Sequence, residues 1–161
     1  MSRWITIAML AVVAVFWAAP AMAGWEATEW NMTPEQVEAH MPGVHPTRMS
    51  AQLKGVKGRN RGPYVFAGLK LNATYYYDDH GLAMVMLDAP AGKCPQVAKA
   101  LLEAYGPPLT ASDQIFFQVF VWHDEPEQTR VRLLTSQAGF CSLYFERLSD
   151  YRAKDLLNVR K

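Results

Sequence analysis

Twice along this chain a proline-opened helical run is followed by three short runs rich in aromatic and β-branched residues. That doubling constrains the fold more than any other feature. In TPEQVEAHMPG (33–43), Thr33 and Gln36 form a Ser/Thr-x-x-Glu/Gln capping pattern and Pro34 sits at the first helical position; Pro42 and Gly43 stop the run. In CPQVAKALLEAYGPP (94–108), Val97, Leu101, Leu102 and Tyr105 give an apolar stripe at helical spacing before a glycine and two prolines. The first helix is followed by YVFAGLK (64–70), ATYYY (73–77) and LAMVML (82–87), with DDHG (78–81) as a hairpin turn. The second is followed by IFFQVFVW (115–122), TRVRLL (129–134) and FCSLYFE (140–146), with turns at DEPEQ and SQAG. A short helix and a three-strand meander leave apolar surface exposed when alone. The pattern therefore predicts an α+β fold of two tandem helix-plus-three-strand antiparallel units (α-βββ-α-βββ, about 28–90 and 91–148). They share one core, and a C-terminal helix follows at about 150–161.

The first 23 residues carry one early charge, Arg3, then an apolar run from Ile5 to Ala19 and small residues at Ala21 and Ala23. That is the order of a secretory signal peptide cleaved after Ala23, ahead of a single mature domain, 24–161. The competing reading is an uncleaved anchor, since Ile5 to Ala23 is about long enough to cross a bilayer. With cleavage the protein is periplasmic or secreted and keeps no membrane span. The leader holds one of the 16 Lys+Arg and none of the 15 Asp+Glu, which leaves 15 against 15 on the mature chain. Such balance argues against nucleic acid as a partner.

Cys94 and Cys141 are the only cysteines. In an oxidising compartment an isolated pair reads first as a disulfide; the spacing fits neither a CxxC redox pair nor a zinc knuckle. Side chains alternate along a strand, so Cys141 shares a face with Leu143 and Phe145 and points inward, towards the helix that Cys94 opens.

The strings WNMTPEQV, FAGLKLNATYYYDDHGLAMVML and YGPP, with the later Trp122, RVRL and CSLYFE, resemble a family of small secreted bacterial proteins of unknown function. Its members read Trp-Gly-Met-Ser/Thr, then Ala-Gly-Leu before a Tyr-Tyr-Phe-like strand and an acidic-Gly turn, then Tyr-Gly-x-Pro. The likeness spans most of 28–147 and departs at Asn31, where the family has Gly. At fold level the chain is also similar to the helix-plus-meander modules of the small lipoprotein of the outer-membrane barrel-assembly machinery and of β-lactamase inhibitor proteins. The resemblance implies a scaffold used for binding and carries over no catalytic residue.

Polar clusters offer three candidate chemistries. His40, His45 and Met49, with Met41, are ligand types that copper accepts. However, His40 and Met41 point apart at a helix end and Met41 falls four residues after Val37, so the stretch is read as a helix terminus, with no metal or cofactor expected. Lys54, Lys57, Arg59 and Arg61 lie among glycines in KGVKGRNRG, either a solvated loop or a docking site for an envelope protein or an anionic cell-wall or lipid component. Asp78, Asp79 and His80 have turn reasons to be where they are; His123 and Asp124 are neighbours that a strand sends to opposite faces. GxSxG, HExxH, CxxC and P-loop patterns are absent. The reading is an exported, non-enzymatic binding or assembly module of the cell envelope. The alternatives are a small secreted hydrolase with dispersed carboxylates and a periplasmic copper-binding protein.

Overall fold

The computed structural model describes residues 23–48, 52–53 and 55–159. Residues 1–22 of the expected leader, the copper candidate Met49 and the basic Lys54 lie outside the described residues. In chain order the elements are β1 (Gly24–Trp25), β2 (Thr28–Glu29), α1 (Pro34–His40), β3 (His45–Pro46), β4 (Gln52–Leu53), β5 (Val56–Phe66), β6 (Leu69–Asp78) and β7 (Gly81–Asp88). Then come α2 (Cys94–Tyr105), β8 (Thr110–Asp113), β9 (Gln118–Asp124), β10 (Thr129–Thr135), β11 (Cys141–Arg147), a 3₁₀ turn at Leu148–Asp150 and α3 (Arg152–Val159).

The expected α+β architecture of two helix-plus-three-strand units is wrong for this chain, which is mostly β. Nine strands form one antiparallel sheet in the order β3-β5-β6-β7-β11-β10-β9-β8, with β4 also on β5, and β1 and β2 make a separate ribbon. The physical reason lies at the centre. β7 hydrogen-bonds to β11, with Val85 opposite Phe145, so the two meanders present no edges to each other and merge. The helices are short, at seven, twelve and eight residues, whereas β5 and β6 run for eleven and ten. Segments outside the expected strands supply further ones: KGVKGRNRG is largely β5, and TASD forms the edge strand β8.

Alternation then sorts the side chains. Leu71, Ala73, Tyr75 and Tyr77 of β6, Leu82, Val85 and Leu87 of β7, Val131 and Leu133 of β10, and Leu143 and Phe145 of β11 face one side. There they meet Val37 of α1, Val97 and Leu101 of α2, and the indoles of Trp25, Trp30 and Trp122. A bulge at Ala83, between the pairs Tyr76–Met84 and Tyr77–Leu82, keeps Leu82 on this face. The opposite face carries a smaller cluster of Tyr76, Met84 and Tyr144 beside Val56, Met86 and Leu134.

The first helix forms as its sequence dictates. Gln36 N–H donates to Thr33 Oγ1 (3.3 Å) and Thr33 N–H donates to Gln36 Oε1 (2.8 Å), while Met41, before Pro42, has turned extended. Just before it the chain is fixed to the sheet by Asn31 N–H to Leu82 O (3.0 Å) and Leu82 N–H to Met32 O (2.8 Å). Asn31 sits at φ 76°, the left-handed region where Gly is at ease and Asn is tolerated, so this turn forms without a glycine. Its partner position is stricter. Gly81 has φ 113°, and a Cβ there would lie 2.2 Å from the Asn31 carbonyl oxygen. Gly81→Ala is expected to cost at least about 2 kcal/mol, read as a lower urea midpoint.

The disulfide between Cys94 and Cys141 is formed, with Cα atoms 5.6 Å apart, and joins the first turn of α2 to the start of β11. No helix among the described residues is long and apolar enough to cross a membrane.

Candidate functional site

The sheet face turned away from α1 and α2 carries a groove of about 420 Å³. Leu53 and Val56 line one side, Thr110, Ser112 and Val121 the other, and Tyr151, Lys154 and Asp155 contribute from the C-terminal end. Its floor holds an ionic network whose members are set by strand register. Arg130 lies opposite both Glu146 on β11 and His123 on β9, and Arg132 lies opposite Tyr144. Arg130 donates through Nε and Nη2 to Asp155 of α3 (2.5 and 3.0 Å) and through Nη1 to Glu146. Arg132 makes a second fork to Glu146, at 3.2 and 2.7 Å, and its guanidinium lies 3.9 Å from the centroid of the Tyr144 ring. His123 Nε2 is 3.0 Å from Asp155 Oδ2. Glu146 and Asp155 are almost wholly buried, as is Arg130. Burial by itself would push the Asp155 carboxyl up; the bonds and charges of Arg130 and His123 outweigh it and hold the group below the usual range. Both buried carboxylates are thus committed to arginines. Those bonds fix the floor of the groove.

At the mouth of this groove two hairpin tips meet. β8 and β9 are joined by a turn in which Gln114 and Phe117 exchange backbone bonds (2.7 and 3.2 Å), so Ile115 and Phe116 are thrown outward at 93% and 75% exposure. Phe117 turns back and meets Phe140, from the β10–β11 tip, edge to face at 5.9 Å. Gln114 and Phe117 line the groove as well, so tip and groove are continuous. Residues 115–117 were expected to begin a strand, but β9 starts at Gln118. Apolar residues occupy both faces of VFVW, so the sequence holds no alternation that marks where pairing begins.

The residues singled out from the sequence do not converge. Lys57 pairs across from Tyr77 and Arg61 from Thr74, which project to opposite sides of the sheet, and Arg59 sits in the irregularity between Gly58 and Asn60. Lys57 and Arg59 are exposed. His40 Nδ1 lies 2.8 Å from the Gln36 carbonyl and His45 Nδ1 lies 3.1 Å from that of Gly43, while Met41 is buried in the core. Among the described residues no three His, Cys, Asp or Glu side chains are grouped to hold a metal ion. Asp78 accepts from His80 N–H (2.8 Å) and from Arg147 (2.5 Å), a turn closure. His123 and Asp124 do face opposite ways: His123 belongs to the groove network, and Asp124 lines a separate cleft.

No family model matches the chain, and no curated protein sequence matches it. Among solved structures it is similar to a DUF4309 family protein, YjgB, from Bacillus subtilis, at a TM-score of 0.45 and 10% identity over 71% of this chain and 78% of that one.

Proposed function

We propose that this protein is an exported, non-enzymatic binding or assembly module that holds an envelope partner against the groove, with the apolar hairpin tip as its anchor. The observation that carries this reading is Ile115 and Phe116, adjacent, outward-pointing and continuous with the groove through Phe117. Monomeric proteins rarely leave adjacent large apolar side chains in water without a use for them. A tip that inserts into a partner's pocket, flanked by the neutral Gln114 and Gln118, meets the demand for a central apolar anchor. The hydrolase reading gains no support from the groove, since Glu146 and Asp155 are bonded to arginines.

A photo-crosslinking residue placed at position 116 in the exported chain, in living cells, tests the reading. A discrete adduct is expected, absent when the same residue stands at the exposed Glu103 on α2 and lost when Ile115 becomes Asn. An adduct pattern equal to that of position 103 removes the tip as an anchor. If the adduct persists when Lys57 and Arg59 are changed to Glu, the contact belongs to the tip and not to the basic strand. The substitution pair Ile115→Asn and Phe116→Ser is expected to leave stability within about 1 kcal/mol, because neither side chain packs in the fold.

A further inference from the structure

On the other side of the sheet, Asp124 opens onto a cleft of about 280 Å³ that the binding reading does not use. Its walls are rings: Trp25 of β1, Tyr64 and Phe66 of β5, Tyr105 at the end of α2 and Phe145 of β11. Their planes are tilted and not stacked. Trp25 meets Tyr64 at 4.7 Å and 49° and Phe145 at 5.4 Å and 41°, while Phe66 meets Phe145 at 6.4 Å and 66°. Three carboxylates, Glu26, Asp124 and Glu127, complete the lining, which contains no Lys, Arg or His.

None of the three carboxylates takes part in an ion pair among the described residues. Glu26 accepts from the Tyr64 hydroxyl, and Asp124 accepts from Glu127 N–H at 3.3 Å. Their fields converge. The Tyr105 hydroxyl is pushed up first by burial and then by Asp124, Glu26 and Glu127 together. The walls are also fixed in place before any ligand arrives. Gly24 N–H donates to Glu127 O (3.0 Å) and Thr129 Oγ1 donates to Gly24 O (2.7 Å), which ties β1 to the β9–β10 hairpin. Gly24 has no alternative, since a Cβ there would fall 1.9 Å from the Thr28 carbonyl oxygen.

The chemistry of such a lining selects its ligand. Negative potential calls for a cation, but the carboxylates are too dispersed to chelate a metal. Five aromatic side chains line the cleft and suit a charge spread over methyl groups, and the carboxylates add long-range attraction. The geometry points to a binding site for a small organic cation with a quaternary or methylated ammonium head. The same head occurs free, as in choline, or bearing a phosphate, as in phosphocholine lipids. The acidic rim repels the phosphate, so the free cation is the favoured form.

Calorimetric titration of the purified protein, its amino terminus defined by intact mass, with choline, tetramethylammonium and phosphocholine tests this. Saturable binding of the first two is expected, with phosphocholine at least about five-fold weaker and all binding weakened by salt. Tyr105→Leu and the pair Asp124→Asn, Glu127→Gln are each expected to weaken choline about five- to ten-fold, with unfolding midpoints near wild type as the check on folding. Choline binding that survives both variants, or none in a folded wild-type protein, overturns the assignment. So does a cleft that binds choline only when the Gly24 amino group is acetylated, because the chain's own ammonium is then its occupant. Loss of the crosslink at position 116 leaves this site untouched, since tip and cleft lie on different faces.

Discussion

Arg130→Ala is expected to lower the unfolding free energy by about 3–5 kcal/mol, one of the two largest single effects in the protein. The side chain supplies three donors to two buried carboxylates, and Ala supplies none. Glu146 keeps the Arg132 fork, but Asp155 is left with His123, and α3 loses the bond that holds it over the groove. Lysine at 130 is expected to recover little, because one ammonium cannot span the geometry of a guanidinium fork. The pair Arg130→Met with Asp155→Asn, which leaves Glu146 on its Arg132 fork, is expected to regain part of the loss, since the penalty comes from unpaired charge more than from the missing pair.

The same network sets a pH signature. Asp155 is held below the ordinary carboxylate value in the folded chain, despite burial, by Arg130 and His123. A depressed folded pKa contributes stability that is fully present above the unfolded value, about 3.9, and is lost as pH falls through the folded one. Asp155→Asn is therefore expected to lower the urea midpoint at neutral pH. The gap from wild type should shrink as pH drops below about 4. A gap that is constant across that range would mean that Asp155 acts by shape and not by charge.

How much of this is legible in the sequence depends on the range of the interaction. The capping box at Thr33–Gln36, the α2 stripe and the DDHG turn are local, and each forms where its residues stand. Sheet merging is not local. Nothing in LAMVML or CSLYFE says that they pair with each other, because the apolar face each strand offers fits any neighbour in the sheet, and that is what placed two units where one sheet stands. The loop expected at the basic run is a strand for a related reason. Glycines in KGVKGRNRG suggested a loop, yet long pairing with β6 overrides their weak strand preference. The groove network was hidden altogether. Arg130, Arg132 and Glu146 sit in apolar strand runs, and Asp155 lies in a terminal helix. Only register and the docking of α3 bring them together. The paired inward cysteines were the one long-range contact open to sequence reasoning, because their redox chemistry leaves few alternatives.

Reducing that bridge is expected to cost up to about 4 kcal/mol, the chain-entropy value for a loop closed across a sequence separation of 47. For a chain of this size that is a fall of about 10–15 °C in Tm. The loss should not be spread evenly. α2 has no side-chain cap at its start, where Lys93 makes no capping bond, so its first turn is tied to the sheet by the bridge and by Gln96 Nε2, which donates to Ala67 O (2.7 Å). Beneath α2 lie Val97 and Leu101, fully buried against the shared core. On reduction, hydrogen exchange is expected to rise first in 94–105 and only later in β7 and β11, which keep their ladder to each other. Thiols left in place remove no side-chain atoms, so this comparison separates tethering from packing. Cys141→Ala adds a void beside Leu143 and should cost more than reduction alone. If exchange rises uniformly across sheet and helix, the bridge restrains only the unfolded chain. If it rises in α2 alone, the staple holds a helix that its own sequence leaves uncapped.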